Sequence, residues 1–186
     1  VGELGWELHH PIEKMEVLYD SLMEAGVEYG IANFGTYAMN SLRMEKAYKG
    51  WGSELTTEIT PIEAGLERFV DFSKCFLGRE AALSRKLLGV NTKLVYVSVK
   101  TSDSDCLGNE PVLGPESTLA DRNIIGVTTS GAYGHTVGQS LAYAYVQPQY
   151  TEPGTQFDIR ILGKNCPATV LKEAVYDPDN VRLRDL

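Results

Sequence analysis

The feature that most constrains the fold is a change of pattern near residue 90. Five short apolar runs follow it, separated by clusters of Gly, Pro, Asn and Asp: Leu94–Val99, Ile124–Thr129, Leu141–Val146, Phe157–Leu162 and Ala168–Leu171. No helix-length apolar period intervenes, and short strands between turn signals are typical of an all-β barrel or sandwich. We therefore predict an α+β part over residues 1–89 and a β-barrel-like part over residues 90–186.

Two glycine-containing segments of the second part are predicted to be turns. Residues 128–131 (TTSG) lack the Gly-Lys-Ser/Thr of a phosphate-binding loop and do not lead from a strand into a helix. We expect them to form a turn that ends a barrel strand. Residues 163–165 (GKN) have strand-like sequence on both sides and fit a hairpin turn.

The first part opens with a strict alternation over residues 3–10. Leu4, Trp6 and Leu8 point one way with His10, and the intervening residues point the other, which predicts a half-buried strand. Its polar face, with Glu3, Glu7 and His9, has two interpretations. It is either a solvated face, or it carries a carboxylate that accepts hydrogen bonds from the N–H groups of a heterocycle. We expect no metal site, because no further His or Cys follows at ligand spacing.

Helical patterns follow this strand. They predict helices over residues 11–26, 36–49 and 79–87, and residues 60–63 (TPIE) form a helix-start signal. The helix over residues 36–49 is apolar around most of its circumference, so we expect it to be buried and its charged residues to have partners. Arg43 on this helix then has two interpretations. It forms an ion pair with Glu45 or another acid, or its guanidinium recognises an anionic or carbonyl-bearing ligand.

Composition narrows the class of partner. The chain has 17 Lys and Arg against 25 Asp and Glu, a formal net charge of −8, which argues against nucleic-acid binding but leaves room for a locally basic pocket for a small anion. No apolar run approaches the ~18 residues of a membrane span, and no charged-then-apolar leader indicates secretion. The scattered cysteines, Cys75, Cys106 and Cys166, favour buried thiols in a reducing compartment.

Several blocks taken together carry a resemblance to a known family. Residues 2–8 (GELGWEL), 40–46 (NSLRMEK), 60–66 (TPIEAGL), 76–81 (FLGREA) and 126–131 (GVTTSG) resemble, in order, blocks of the glycine-cleavage T-protein (aminomethyltransferase) superfamily. With residues 48–52 (YKGWG), the Trp6 variant is most similar to the C-terminal half of dimethylglycine and sarcosine dehydrogenases. The resemblance covers nearly the whole chain.

The resemblance implies a partial aminomethyltransferase-like folate-binding domain over residues 1–89 and a small antiparallel β-barrel over residues 90–186. It implies tetrahydrofolate as cofactor, with FAD in a domain outside the chain that oxidises an N-methyl amino acid, and capture of the released one-carbon unit as 5,10-methylenetetrahydrofolate. Glu7 matches the family's pterin-binding carboxylate, and Glu3 and Arg43 match signature positions that brace the site. No catalytic residue is expected in this chain, which we expect to be an inactive piece of a longer protein.

Two departures bear on the choice within the family. Met39 and Asn40 replace an Arg-Asp pair of glycine-cleavage T-proteins, and Cys75 stands where the family often has Asp. These departures favour assignment to the dehydrogenases over assignment to the glycine-cleavage aminomethyltransferases. A non-catalytic regulatory or scaffold module of the same fold is the second alternative.

We expect a cytoplasmic protein, or a mitochondrial matrix protein if the source is eukaryotic. We expect no nucleic-acid or membrane partner, and self-association is compatible with the sequence.

Overall fold

A computed structural model describes residues 1–115, 117 and 123–184 of the chain. The described residues contain four α-helices: α1 Met15–Gly26, α2 Thr36–Glu45, α3 Arg79–Leu88 and α4 Val181–Arg184. They contain six β-strands: β1 Lys93–Val99, β2 Pro111–Leu113, β3 Ile124–Gly134, β4 Gln139–Val146, β5 Gln156–Ile161 and β6 Lys164–Val170. Short 3-10 turns lie at Ile12–Lys14, Val27–Tyr29, Glu67–Phe69 and Pro148–Tyr150. No described helix is both long and apolar enough to span a bilayer.

The six strands close into a barrel in the order β1-β4-β3-β2-β5-β6, with every neighbouring pair antiparallel. The predicted α+β class with a small antiparallel β-barrel is confirmed, and each of the five predicted runs overlaps a strand. Strand β2 was not predicted, because it is only three residues long and begins with Pro111, which cannot donate a ladder hydrogen bond.

The barrel has an interior core of small and branched side chains from all six strands. Val97, Val112, Val146 and Ile159 are fully buried there. Gly126 of β3 lies so close to β4 that a Cβ atom would approach the carbonyl oxygen of Tyr145 to 2.1 Å. A larger residue at this position would therefore separate the two strands, which is a packing requirement for glycine.

The two turn predictions have different outcomes. The hairpin is confirmed, but its turn is Leu162 and Gly163, with φ of 46° and 83°, and Lys164 and Asn165 of the predicted turn belong to β6, which pairs directly with β5. Positive φ at both central residues matches the right-handed twist of the flanking strands. The prediction that residues 128–131 end a strand is wrong. These residues lie inside β3, where the pairing register with β4 shifts between Thr128 and Ser130.

The predicted helices are present in the first part of the chain, although α2 ends at Glu45 instead of near residue 49, but the predicted strand over residues 3–10 is absent. Those residues belong to no strand, and among the described residues none of their backbone groups makes a hydrogen bond to another backbone group. Alternation is not sufficient for a strand, because a ladder also needs a neighbouring strand to pair with. The predicted helix-start signal lies at residues 60–63. Thr60 and Glu63 make the expected reciprocal hydrogen bonds, but these bonds stabilise a turn and not a helix.

Burial in the first part differs from the sequence-based expectation. The C-terminal end of α2 is buried at Met44, but the helix begins at the surface, where Tyr37 is 92% exposed. The prediction of a fully buried second helix is therefore correct only for its last turn. The prediction of buried thiols holds for Cys106 and Cys166 and is wrong for Cys75, which is exposed.

Candidate functional site

The C-terminal end of α2 packs on the outer face of the barrel. Tyr96 of β1 and Tyr143 of β4 are cross-strand partners whose ring centroids lie 5.3 Å apart. Their hydroxyls donate to the carbonyl oxygens of Met44, in the last turn of α2, and of Ala47, two residues after the helix ends. Burial raises the pKa of both hydroxyls, so both remain protonated donors. The helix end is therefore fixed on the barrel.

Arg43 lies at the centre of this contact. Its Nη1 donates to Glu54 Oε2 at 2.8 Å and to the Tyr48 carbonyl at 3.0 Å. Its Nε donates to Asn40 Oδ1 and its Nη2 to Ser130 Oγ, both at 2.8 Å. The ion-pair interpretation of Arg43 therefore describes what the structure contains, with Glu54 rather than Glu45 as the acid.

Glu54 is 0% exposed, and both of its carboxylate oxygens are occupied. Oε2 accepts from the Gly50 amide at 2.6 Å in addition to Arg43, and Oε1 accepts from the hydroxyls of Thr129, at 2.7 Å, and Ser130. A buried charge is tolerated when it is paired and hydrogen-bonded in this way. We refer to Asn40, Arg43, Glu54, Thr129 and Ser130 as the Arg43–Glu54 cluster.

The bulge in β3 explains how this cluster forms. An extra residue at a bulge lets consecutive side chains point to the same side of a strand instead of alternating. Here Thr129 and Ser130, which are adjacent in sequence, both donate to Glu54 Oε1. The TTSG segment that was predicted as a turn is thus the part of the barrel that binds the acid from the first part of the chain.

A second charged contact fixes the start of the chain. The Lys46 ammonium, on a side chain that is 1% exposed, lies 2.7 Å from Asp177 Oδ2 and 3.9 Å from Glu3 Oε1. This hydrogen bond from Lys46 lowers the pKa of Asp177. Gly2, with φ of 78°, packs so closely that a Cβ atom would lie 2.9 Å from Lys46 Cδ. Lys46 therefore joins residues near both ends of the described chain.

The candidate residues Glu7, Glu3 and Arg43 occupy three different environments. Glu7 has a side chain that is 92% exposed, with His9 Nε2 at 3.9 Å from Oε2. Glu3 is partly exposed beside Lys46, and Arg43 belongs to the Arg43–Glu54 cluster. Within the described residues no hydrogen bond or ion pair joins Glu7 to either of the other two. The structure therefore leaves Glu7 accessible to a ligand and gives Arg43 and Glu3 protein partners.

The sequence did not identify Glu54 as the partner of Arg43 or Asp177 as the partner of Lys46. Arg43 and Lys46 were noted as charges on an apolar helix that would need partners, and that need was the available signal. It could not select Glu54, because the acid lies in an irregular segment 11 positions along the chain. It could not select Asp177, which is 131 positions from Lys46.

Comparison with known proteins assigns the family. Residues 1–74 match the model of the GCVT N-terminal domain, and residues 93–177 match the model of the glycine cleavage T-protein C-terminal barrel domain. The chain belongs to the glycine-cleavage T-protein family. The barrel described above is the part of the chain that the second of these models matches.

Two mitochondrial dehydrogenases of Mus musculus are relatives of this chain. It is 44% identical to dimethylglycine dehydrogenase over 185 residues, covering 98% of this chain and 21% of that protein. It is 30% identical to sarcosine dehydrogenase over 195 residues, covering 100% of this chain and 20% of that protein. The chain therefore spans about a fifth of the length of these relatives.

A solved structure shares the fold. The crystal structure of the glycine cleavage system aminomethyltransferase T from Bartonella henselae superposes with a TM-score of 0.79 at 25% sequence identity. The match covers 90% of this chain and 45% of the aminomethyltransferase. The chain therefore corresponds to rather less than half of a protein with this architecture.

Proposed function

We propose that this chain is part of a tetrahydrofolate-binding domain that accepts the one-carbon unit released when an N-methyl amino acid is oxidised. The similarity to dimethylglycine dehydrogenase along 98% of the chain supports this assignment, as does the match to aminomethyltransferase T. In this proposal the whole protein carries FAD in another domain, where the oxidation occurs. The product on the folate is 5,10-methylenetetrahydrofolate.

The observation that carries the proposal for this chain is the accessibility of Glu7. Its side chain is 92% exposed, and the one ion-pair contact recorded for its carboxylate among the described residues is the imidazole Nε2 of His9 at 3.9 Å. Two carboxylate oxygens side by side can accept two N–H groups of one planar heterocycle, and such charge-assisted hydrogen bonds are the stronger kind. In the proposal, Glu7 therefore binds the ring N–H and amino group of the pterin.

The surface around Glu7 is apolar and open. Trp6, on the same segment, is 85% exposed, and Leu4 and Leu8 are also exposed. Contiguous exposed apolar surface is typical of a site that another domain or a ligand covers. The aminomethyltransferase structure has more than half of its chain outside the matched region, which supports our proposal that a further part of the domain closes over Glu7.

Glu3 and Arg43 take indirect roles in this proposal. Glu3 faces Lys46, and close packing of Gly2 on Lys46 fixes the chain a few residues before Glu7. Arg43 lies on α2, and its ion pair with Glu54 fixes the end of that helix on the barrel. We infer that both hold the segment that presents Glu7. Holding the folate amine close to the released one-carbon unit in a closed site would limit its loss to water.

Calorimetric titration of the whole protein with tetrahydrofolate tests the proposal. We expect Glu7→Gln to raise the Kd by about tenfold or more, because charge-assisted hydrogen bonds contribute about 1.5–3 kcal/mol and ~1.4 kcal/mol is tenfold in Kd. The matched control is Glu58→Gln, an exposed glutamate outside this segment, which should bind as the wild type does.

Two other outcomes would decide against parts of the proposal. Equal affinity of Glu7→Gln and wild type would remove Glu7 from the binding site. Absence of tetrahydrofolate binding by the wild-type whole protein would favour the alternative of a non-catalytic regulatory or scaffold module with this fold.

A further inference from the structure

A cavity separate from the proposed folate site lies between the first part of the chain and the barrel. It is an open cleft with a volume of about 310 Å³, lined by the segment after α2, residues 64–65, the ends of β1 and β6, and the loop after β4. Neither Glu7 nor Glu3 nor Arg43 lines it. A volume of this size is at the lower end of the range of ligand sites, about 300–1,000 Å³, and so suits a small molecule.

Somewhat more than half of the exposed surface of the cavity is apolar. Ala64, Val95, Tyr96 and Tyr143 are buried residues that line it, and the hydroxyls of both tyrosines already donate to the carbonyls of Met44 and Ala47. These walls therefore offer apolar surface rather than hydrogen bonds to an occupant. Small-molecule sites commonly combine such walls with a few charged groups that orient the ligand.

Lys49 is the charged group that distinguishes this cavity. Among the described ion pairs none includes Lys49, although its side chain is partly buried. Glu54 acts on it electrostatically, but the Glu54 carboxylate is occupied by Arg43, Thr129 and Ser130. Burial, followed by the positive charge of Arg68, lowers the pKa of Lys49. An anion beside it would offset both effects.

The other charges at the cavity define the kind of anion. Lys172 adds a second cation to the lining, and Glu173 adds a carboxylate. A singly charged carboxylate can contact a lysine while staying away from Glu173, whereas a doubly charged phosphate would meet stronger repulsion. This is a locally basic site on a chain whose formal net charge is −8.

We propose that this cavity binds a small monocarboxylate with an apolar body, whose carboxylate contacts Lys49 and whose apolar part lies against Ala64, Tyr96 and Tyr143. The proposal is independent of folate binding, since it uses none of the residues assigned to the pterin. It predicts a second ligand site at the junction of the two parts of the chain.

Titration of the full ¹⁵N-labelled chain with benzoate tests this site by NMR. We expect the amide signals of Ala47, Ala64 and Leu94, which line the cavity, to shift. Lys49→Gln should weaken benzoate binding at least tenfold, and Lys49→Arg should restore most of it. Lys14→Gln, a change at an exposed lysine that does not line the cavity, should leave binding unchanged.

Two comparison ligands sharpen the result. Neutral benzyl alcohol should bind wild type more weakly than benzoate, and this preference should disappear in Lys49→Gln. Inorganic phosphate should bind more weakly than benzoate.

Equal binding of benzoate to wild type and Lys49→Gln, or no shift at the cavity residues, would overturn the proposal. Retention of the wild-type NMR spectrum elsewhere in Lys49→Gln shows that the variant folds, and Lys172→Gln provides a second variant with an expected smaller loss.

Discussion

In the barrel, Val97, Val146 and Ile159 lose all exposure to solvent, whereas in α1 Val17 remains 64% exposed. The difference extends beyond single residues, since no residue between 3 and 40 is buried. The barrel closes on itself, so every strand has two neighbours and one shared core. Helix α1, by contrast, has no buried residue among the residues that the structure describes. The barrel thus has the contacts of an independent unit, and residues 3–40 have those of a surface to be covered.

The Arg43–Glu54 cluster is where these two regions meet, and breaking it should have the largest effect on stability. Glu54→Gln leaves the Arg43 guanidinium partly buried without its acid, and removal of one partner of a buried pair costs about 3–5 kcal/mol. We expect the free energy of unfolding, measured by urea denaturation, to fall by that amount. If the free energy of unfolding falls by less than about 1 kcal/mol, the Arg43–Glu54 ion pair contributes no more to stability than an exposed ion pair does.

A double variant separates burial of charge from loss of packing. Arg43→Met combined with Glu54→Met removes both charges and keeps apolar volume. We expect it to be less destabilising than Glu54→Gln, because no unpaired charge remains in the interface. If both variants lose the same free energy of unfolding, the hydrogen bonds to Thr129 and Ser130 contribute more than the ion pair does.

A smaller effect is expected from matched truncations in the two regions. Ile159→Val removes one methylene from the closed barrel core and should lower the free energy of unfolding by about 0.5–1.5 kcal/mol. Val17→Ala removes two carbon atoms, one more than Ile159→Val does, from exposed α1, and it should still change the free energy of unfolding by less than about 0.5 kcal/mol. Thermal unfolding of both variants of the chain measures this difference.

The same truncation tests whether residues 3–40 are covered in a longer protein. If another domain packs on α1, Val17→Ala should become as destabilising in the whole protein as Ile159→Val is in the barrel. An unchanged small effect in the whole protein would mean that α1 stays exposed there, which would contradict the covered surface that our proposed function requires.

The sequence predicts the barrel well because its signals are local. Each strand except β2 has its own apolar run, and the hairpin at Leu162 and Gly163 is marked by a glycine that tolerates positive φ. The same local logic failed over residues 3–10, where the alternation is clear but strand formation depends on a partner segment. It also failed at Thr129, because a bulge follows from pairing with β4 rather than from the residues that form it.

The candidate site shows the same limit. That Arg43 and Lys46 would need partners followed from their position on an apolar helix. The identity of those partners, Glu54 and Asp177, depends on how distant segments fold back, which a single sequence does not encode locally. The proposed role of Glu7 still rests on family resemblance together with its accessibility in the structure.

The smallest expected effect is a pH dependence that belongs to the barrel side. Burial by itself would raise the pKa of Glu110, but the Thr128 hydroxyl and the amides of Leu107 and Gly108 donate to its carboxylate, and the net result is a lowered pKa. A carboxyl group with a lowered pKa in the folded state favours folding above its unfolded pKa of about 4.3. That contribution is lost as the pH falls through the folded-state pKa.

We therefore expect Glu110→Gln to be less stable than wild type at pH 7 and to converge with it in stability at low pH. Thermal unfolding between pH 7 and pH 3 measures this convergence, with the exposed Glu58→Gln as control. A constant difference between Glu110→Gln and wild type over that range would show that the substitution acts through packing rather than through ionisation.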